Sequence, residues 1–353
     1  MKVFFTLFLS FLLGCTVADK CAPITDKKVK ELWKEWNKAL QTLEPEKVSE
    51  MYHPHSVLLP TLSNKVRSDV EGKINYFEHF LAKKPVGKIN EEYVNVRACN
   101  MATYNGIYTF DLTAVGKKAQ ARFSYVYTFE HDEWKIKTHH SSLMPEQAAS
   151  HRRLREVGDS QRKLHVAMSP EDQKCKKVTA KDVRNMWHAW AASLATTPEL
   201  VAEQYWNHGS VLLPTLSNQV RNSEQEKINY FEHFLQKKPV ASINQDFVAI
   251  GCNTAEYNGI YSFQLTDPAT KKVSAAMARF TYVFTTSPDE GAKGNWKIET
   301  HHSSLMPNPG GLSGIEDFNL ISLKTWIEAD FLKKKNYLNS LLLRFIFIIF
   351  RRD

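Results

Sequence analysis

The stretch 134–145 reads WKIKTHHSSLMP, and 296–307 reads WKIETHHSSLMP, differing only at Lys137 against Glu299. Working outward, three more blocks recur in the same order. SVLLPTLSNKVR (56–67) returns as SVLLPTLSNQVR (210–221), KINYFEHFLAKKPV (73–86) as KINYFEHFLQKKPV (227–240), and YNGIYTF (104–110) as YNGIYSF (257–263). Four collinear blocks mean a duplicated unit rather than chance. Elsewhere the copies differ, as in Asp69-Val70-Glu71 against Ser223-Glu224-Gln225, so the matching blocks point to shared structure or a shared site. The spacing grows before Arg279 and before Trp296, which fits longer hairpin loops in the second copy.

Within one copy, hydrophobic periodicity sets the elements. Val29, Leu32, Trp33, Trp36 and Leu40 recur at helical spacing behind a cap at Thr25 or Asp26. Pro45 starts a short second helix running through Met51. Ser68 or Asp69 opens a third, with Ile74, Phe77 and Leu81 along one side, and it ends before Pro85. The period then changes to two, and 92–98, 102–112, 119–131 and 134–142 read as strands, with His131-Asp132-Glu133 as the last tight hairpin. The second copy repeats this, with Val183, Met186, Trp187, Trp190 and Leu194 on its first helix. The expected class is α+β: two tandem cone-shaped domains, each three helices packed on a curved antiparallel sheet. The expected boundaries are a signal peptide at 1–18, a first domain at 19–148, a charged linker at 149–176, a second domain at 177–308 and a flexible tail at 309–353.

A length of 353 residues accommodates two domains, and 43% hydrophobic with 24% charged residues is globular composition. The net charge of +8 favours acidic ligands or surfaces. Lys and Arg are scattered, however, with no zinc-finger spacing or basic arm, so nucleic acid is not an expected partner. Met1-Lys2, the apolar run 3–13 and Thr16-Val17-Ala18 form a secretory leader cleaved after Ala18. Leu12-Leu13-Gly14-Cys15 also fits a lipobox, which would make a bacterial chain periplasmic or lipid-anchored. Cys21, Cys99, Cys175 and Cys252 allow three connectivities in an exported chain. The repeat aligns Cys21 with Cys175 and Cys99 with Cys252, so the expected bridges are Cys21–Cys99 and Cys175–Cys252, against bridging between domains. The apolar run 338–350 is interrupted by Arg344 and is too short for a membrane span.

The blocks LLPTLSNKVR, INYFEHFLAKKPV, ARFSYVYTF and WKIKTHHSSLMP resemble the nuclear transport factor 2-like (SnoaL-like) superfamily, closely its SgcJ/EcaC branch. More distantly they are similar to the association domain of calcium/calmodulin-dependent protein kinase II. The resemblance covers 25–148 and 177–308. It implies a cone-shaped cavity between helices and sheet. It also implies sheet-to-sheet packing of the copies as an internal pseudo-dimer, with further homo-oligomerisation open. It does not choose among isomerases, cyclases, hydroxylases, oligomerisation modules and plain binders.

Candidate site residues come from the matched blocks. Alternation puts His140 on the strand face of Trp134 and Ile136, hence toward the cavity, with His139 facing away; His302 repeats it, and both are candidate bases. A buried His tied to a neighbouring hydroxyl is the plain alternative. Arg122 and Arg279, inside aromatic strands, need an acidic partner or an anionic ligand. Arg67 and Arg221 follow the block that the resemblance places along the cavity. Tyr76 and Tyr230 are candidate donors to a ligand oxygen, or core residues. If Arg122 faces the cavity, Tyr125 and Tyr127 face a partner sheet. His53-Pro54-His55 looks like a metal pair, but the second copy reads Asn207-His208-Gly209, so neither metal nor cofactor is expected. No shared acidic base is evident, since Asp111 aligns with Gln264. Three readings stay open. One is a secreted binder of a small organic ligand, anionic or aromatic. Another is a cofactor-independent isomerase, cyclase or oxygenase, luciferase-type oxidation included. The third is a structural oligomerisation module.

Overall fold

The computed structural model describes residues 22–98, 100–146, 175–176, 178–286 and 295–307. The leader, nearly all of the linker, the tail from 309 and the expected Cys21–Cys99 bridge lie outside the described residues. The first domain runs α1 (Asp26–Leu40), α2 (Pro45–Ser49), β1 (Tyr52–Leu59), α3 (Val70–Leu81), β2 (Pro85–Ala98), β3 (Met101–Leu112), β4 (Lys117–Glu130) and β5 (Glu133–Leu143). The second runs α4 (Ala180–Ser193), α5 (Pro198–Ala202), β6 (His208–Leu213), β7 (Arg221–Ser223), α6 (Glu224–Leu235), β8 (Val240–Gly251), β9 (Thr254–Thr266), β10 (Val273–Thr286) and β11 (Trp296–Leu305). The α+β class and the tandem arrangement are as expected. Cys175 and Cys252 form a disulfide.

Local sequence explains the helices. Thr25 caps α1 by accepting the Lys28 N–H, and Val29, Leu32, Trp33, Trp36 and Leu40 are all buried. Asp69 caps α3. Thr179 and Asp182 close a capping box on α4. In the last hairpin, His131 and Asp132 take φ of 53° and 62° between the paired Glu130 and Glu133, a two-residue turn whose twist suits the strands.

The sheet corrects the expected four-stranded antiparallel meander. Strand order is β1-β5-β4-β3-β2, with β1 parallel to β5; the second domain has β7-β6-β11-β10-β9-β8, with β6 parallel to β11. The extra strand lies in the SVLL segment. Ser56, Val57, Leu58 and Leu59 are all buried, so the strand shows a continuous run instead of alternation.

A second correction concerns facing. Val126 pairs with Thr138 and Tyr127 with Ile136, so Lys137 is an extra, bulged residue; Glu299 is its counterpart on β11. One extra residue flips every later side chain to the opposite face. Ile136 therefore faces the core, and beyond the bulge His139 faces it while His140 faces out. Tyr125 and Tyr127 also lie in the domain core, not against a partner sheet. The outward face carries Arg122, Ser124, Thr138, His140 and Ser142, and it packs on its counterpart from the second domain. The pairing of the two sheets within one chain is thus largely polar, with small apolar patches such as Ala98, Met101, Val126 and Val283.

Candidate functional site

The second domain holds a small cavity between its helices and the concave face of its sheet. In the second domain Trp190, Thr215, Tyr230, Tyr261, His301 and Ser303 help line it. It leaves room for the centre of one water-sized molecule, about 10 Å³.

The cavity histidine is fixed by a buried relay. Trp190 Nε1 donates to the Tyr205 hydroxyl at 3.1 Å, and that hydroxyl lies 2.7 Å from His301 Nδ1. Tyr205 has a single proton to give, and its oxygen already accepts from Trp190. That proton has no other acceptor among the described residues, so we assign it to Nδ1 and the imidazole proton to Nε2. Burial pushes the His301 pKa down to about 3, which keeps the ring neutral. Nε2 is buried and has no hydrogen-bond partner among the described residues. The first domain repeats the relay, with Trp36 to Tyr52 at 3.0 Å and Tyr52 to His139 Nδ1 at 2.8 Å; there the Tyr108 hydroxyl lies 3.5 Å from Nε2. Burial brings the His139 pKa to about 3 as well.

Beside each histidine runs a chain of hydroxyls. Ser303 Oγ contacts both the Tyr261 hydroxyl and Thr215 Oγ1, and Ser141 likewise joins Tyr108 and Thr61. Tyr230 adds another phenol. Burial raises its pKa, and so does nearby Tyr261, while Arg122 and Arg221 act to lower it. For Tyr76 burial raises the pKa, while Arg279 and Arg67 oppose it. The arrangement offers N–H and O–H donors around one small space, with cationic charge behind it. Such a site can hold an acceptor with several oxygens, and its hydroxyls can pass a proton.

The sequence-derived residues fall on both sides of the sheet. Tyr230 reaches the second-domain cavity, while Tyr76 packs on Phe77 and Phe80 in the first. Arg67 Nη1 donates to Asn75 Oδ1 at 3.1 Å, and Arg221 Nη2 to Ser217 Oγ at 3.3 Å, both beside those tyrosines. His140 and His302 do not reach a cavity. They stack on each other between the domains with ring centroids 3.7 Å apart. His140 Nε2 lies 2.8 Å from Ser304 Oγ, and His302 Nε2 lies 2.9 Å from Ser142 Oγ. Burial, with the nearby Arg122 and Arg279 charges, holds both well below the ordinary histidine pKa. Arg122 and Arg279 also leave their own domains, and each donates to backbone carbonyls of the other. His53 is buried against the Thr128 carbonyl at 3.2 Å, whereas His55 opens on a crevice of about 290 Å³ between the domains. Lys137 lines that crevice, but its ammonium is already paired with Glu130 at 3.0 Å. Among the described residues no group of three or more His, Cys, Asp or Glu gathers to hold a metal.

Sequence reasoning missed Tyr52, His139, Ser141, Thr61 and Tyr108 with their second-domain counterparts. All but Tyr52 and its counterpart Tyr205 sit inside matched blocks, so their identity in both copies was the available signal.

A family-level match to the calcium/calmodulin dependent protein kinase II association domain covers residues 25–145 and again 179–307. No curated protein matches the chain. Among solved structures, one described as such an association domain from Xanthomonas campestris shares 45% identity, covering 36% of this chain and 96% of that chain at a TM-score of 0.34. A cyanobacterial iota-carbonic anhydrase complexed with bicarbonate shares 22%, covering 35% and 95%, at 0.33. A nuclear transport factor 2-like protein of unknown function from Shewanella oneidensis shares 16%, covering 33% and 97%, at 0.29.

Proposed function

The chain belongs to the calcium/calmodulin dependent protein kinase II association domain family, in two tandem copies, and we propose that each copy binds one small trigonal oxyanion of bicarbonate or carboxylate size. The observation that carries this reading is His301 Nε2, buried at the cavity without a hydrogen-bond partner among the described residues and a donor in the assigned tautomer. A buried donor without an acceptor is costly, so a ligand oxygen there would relieve a standing penalty. The Tyr230, Tyr261, Ser303 and Thr215 hydroxyls supply further donors, and the Arg122 and Arg221 charges favour an anion. The cavity has room for one water-sized molecule, so even a four-atom oxyanion would displace that occupant and shift the lining slightly. The aromatic ligand considered from sequence would need space that Trp190, Phe231 and Phe234 fill. We read the protein as exported, a reading that the Cys175–Cys252 disulfide supports.

The hydroxyl chain favours one catalytic use of the same site, reversible hydration of carbon dioxide. A pocket water would add its oxygen to the carbon, its proton would pass along the Ser303 and Thr215 hydroxyls to a base in the solvent at the half-buried Thr215, and the His301 N–H would hold the developing carboxylate oxygen. In this reading His301 is a donor and not a base. Bicarbonate is the first probe because it is among the smallest trigonal oxyanions, and it is the ligand named with the cyanobacterial carbonic anhydrase.

Carbon-13 NMR of labelled bicarbonate with the full chain tests this. The expected result is line broadening that a Ser141→Ala/Ser303→Ala chain loses while keeping its circular dichroism. Absence of broadening at about 50 mM, well above a millimolar Kd, overturns the oxyanion reading. Broadening without accelerated exchange between carbon dioxide and bicarbonate leaves a binder.

A further inference from the structure

We propose that each pocket is completed by an arginine of the opposite domain: Arg122 positions the Thr215–Ser303 hydroxyl pair of the second domain, and Arg279 the Thr61–Ser141 pair of the first. This rests on the oxyanion reading for what the pocket holds, but not for the geometry of the clamp.

The two arginines make the same crossed contacts. Arg122 leaves β4, where its Nε donates to Ser142 Oγ at 3.2 Å, and enters the second domain. There Nη1 donates to the Pro214 carbonyl and, at 3.1 Å, to the Ser217 carbonyl, while Nη2 donates to the Ser303 carbonyl at 3.1 Å. Arg279 mirrors this from β10, with Nε to Ser304 Oγ at 3.2 Å, Nη1 to the Pro60 and Ser63 carbonyls, and Nη2 to the Ser141 carbonyl at 3.1 Å. Pro214 precedes Thr215 in the turn after β6, and Ser303 lies on β11. The hydroxyls that meet in the cavity therefore come from two separate segments, and one planar guanidinium spans both backbones. A fork of fixed geometry sets their separation in a way that a flexible ammonium does not.

Charge supports the same assignment. Both arginines are buried to 1% exposure, and among the described residues they donate to neutral oxygens. Burial lowers the Arg122 pKa to about 10 and that of Arg279 to about 9. A buried cation held by neutral acceptors gains from a nearby anion. The pocket phenols lie close by: Tyr230 feels Arg122 ahead of its own domain's Arg221, and Tyr76 feels Arg279 ahead of Arg67. Each arginine is thus a positioning residue whose charge backs the neighbouring domain's cavity. The expected consequence is crossed dependence, in which damage to a first-domain arginine appears in the second-domain pocket.

Single-pocket versions of the full chain read this out. Tyr261→Phe with Ser303→Ala silences the second pocket, and Tyr108→Phe with Ser141→Ala the first. Adding Arg279→Lys to the former and Arg122→Lys to the latter should weaken bicarbonate binding about ten-fold, as expected for loss of a charge-assisted hydrogen bond. In the arginine-intact versions, nitrogen-15 NMR should show bicarbonate moving the Arg279 guanidinium signal when only the first pocket is open, and the Arg122 signal when only the second is. Losses or shifts that follow each arginine's own domain, or none at all, overturn the proposal; the NMR arm holds even where a lysine variant fails to fold. If the unaltered chain binds no bicarbonate, the oxyanion reading fails alone, and amide hydrogen exchange then decides the clamp. Arg122→Lys should speed exchange at 215–217 and 303–305, and Arg279→Lys at 61–63 and 141–143; acceleration confined to the mutated domain overturns it.

Discussion

In the proposed oxyanion site His301 is the central donor, and that role is set by a neighbour. Because Tyr205 gives its proton to Nδ1, the ring presents an N–H to the cavity, so the same imidazole is a donor where an unguided one would serve equally well as an acceptor. Nitrogen-15 NMR of the unaltered chain should therefore show His301 protonated at Nε2 and bare at Nδ1. Tyr205→Phe removes the fixed donor, so the two tautomers should mix and bicarbonate binding should weaken several-fold; a signal from protonated Nδ1 in the unaltered chain would sink this account. The matched block holds both dipeptides, His139-His140 and His301-His302, but alternation turned the wrong member of each toward the domain interior. Alternation from Trp134 and Ile136 is sound only while the strand is regular, and a one-residue bulge leaves no mark in the residue types on either side.

Elements were legible where local physics is strong. The cap at Thr25, the Trp-rich stripe of α1, the Asp69 cap of α3 and the His131-Asp132 turn all follow from their own few residues. β1 was not legible, because parallel pairing with a strand some 80 residues away depends on tertiary contact. Gly106 shows how sequence and sheet shape meet. It sits at φ 156° where β2 shifts register between Ile89 and Glu91, and a Cβ there would stand 1.9 Å from the Glu91 carbonyl oxygen. Gly259 faces Gln245 in the same way. Gly106→Ala should cost at least about 3 kcal/mol, since backbone strain and collision act together. Urea unfolding measures it, and a loss under about 1 kcal/mol would contradict the close approach.

At the scale of the whole molecule, the two sheets bury histidines that stay neutral. His139 and His301 titrate near 3, against an ordinary value of 6.5, and His140 and His302 well below that value. Below pH 6.5 the unfolded chain takes up protons at these positions and the folded chain does not, so stability is full above 6.5 and declines as pH falls. Glu256 opposes this. Burial raises its carboxyl to about 7 from 4.5, so over that interval the fold binds a proton that the unfolded chain lacks. The imidazoles outnumber the single carboxyl, and each uncompensated proton is worth about 1.4 kcal/mol per pH unit. The unfolding temperature should fall steadily between pH 7 and pH 5; a flat or rising profile would mean that the histidines are solvated. The repeat in the sequence announced two domains, and the resemblance implied that their sheets pair. The outward-facing arginines and histidines were not legible as interface residues, because both chemistries suit a ligand pocket equally well.

The bulge position is also where the copies differ within their most similar block. Thr103 donates to Glu299 across the interface at 3.1 Å, and Thr138 donates to Glu256. Thr103 aligns with Glu256, and Lys137 with Glu299. Two second domains from different chains, brought together in the same orientation, would set Glu256 of one beside Glu299 of the other, and by symmetry would do so twice. One of the two buried carboxyls would then have to stay protonated, as the raised pKa of Glu256 allows, a constraint that Thr103 and Lys137 of a first domain remove. A second domain is therefore better matched to a first domain than to its own kind, a bias against tail-to-tail strings of chains whose halves have parted.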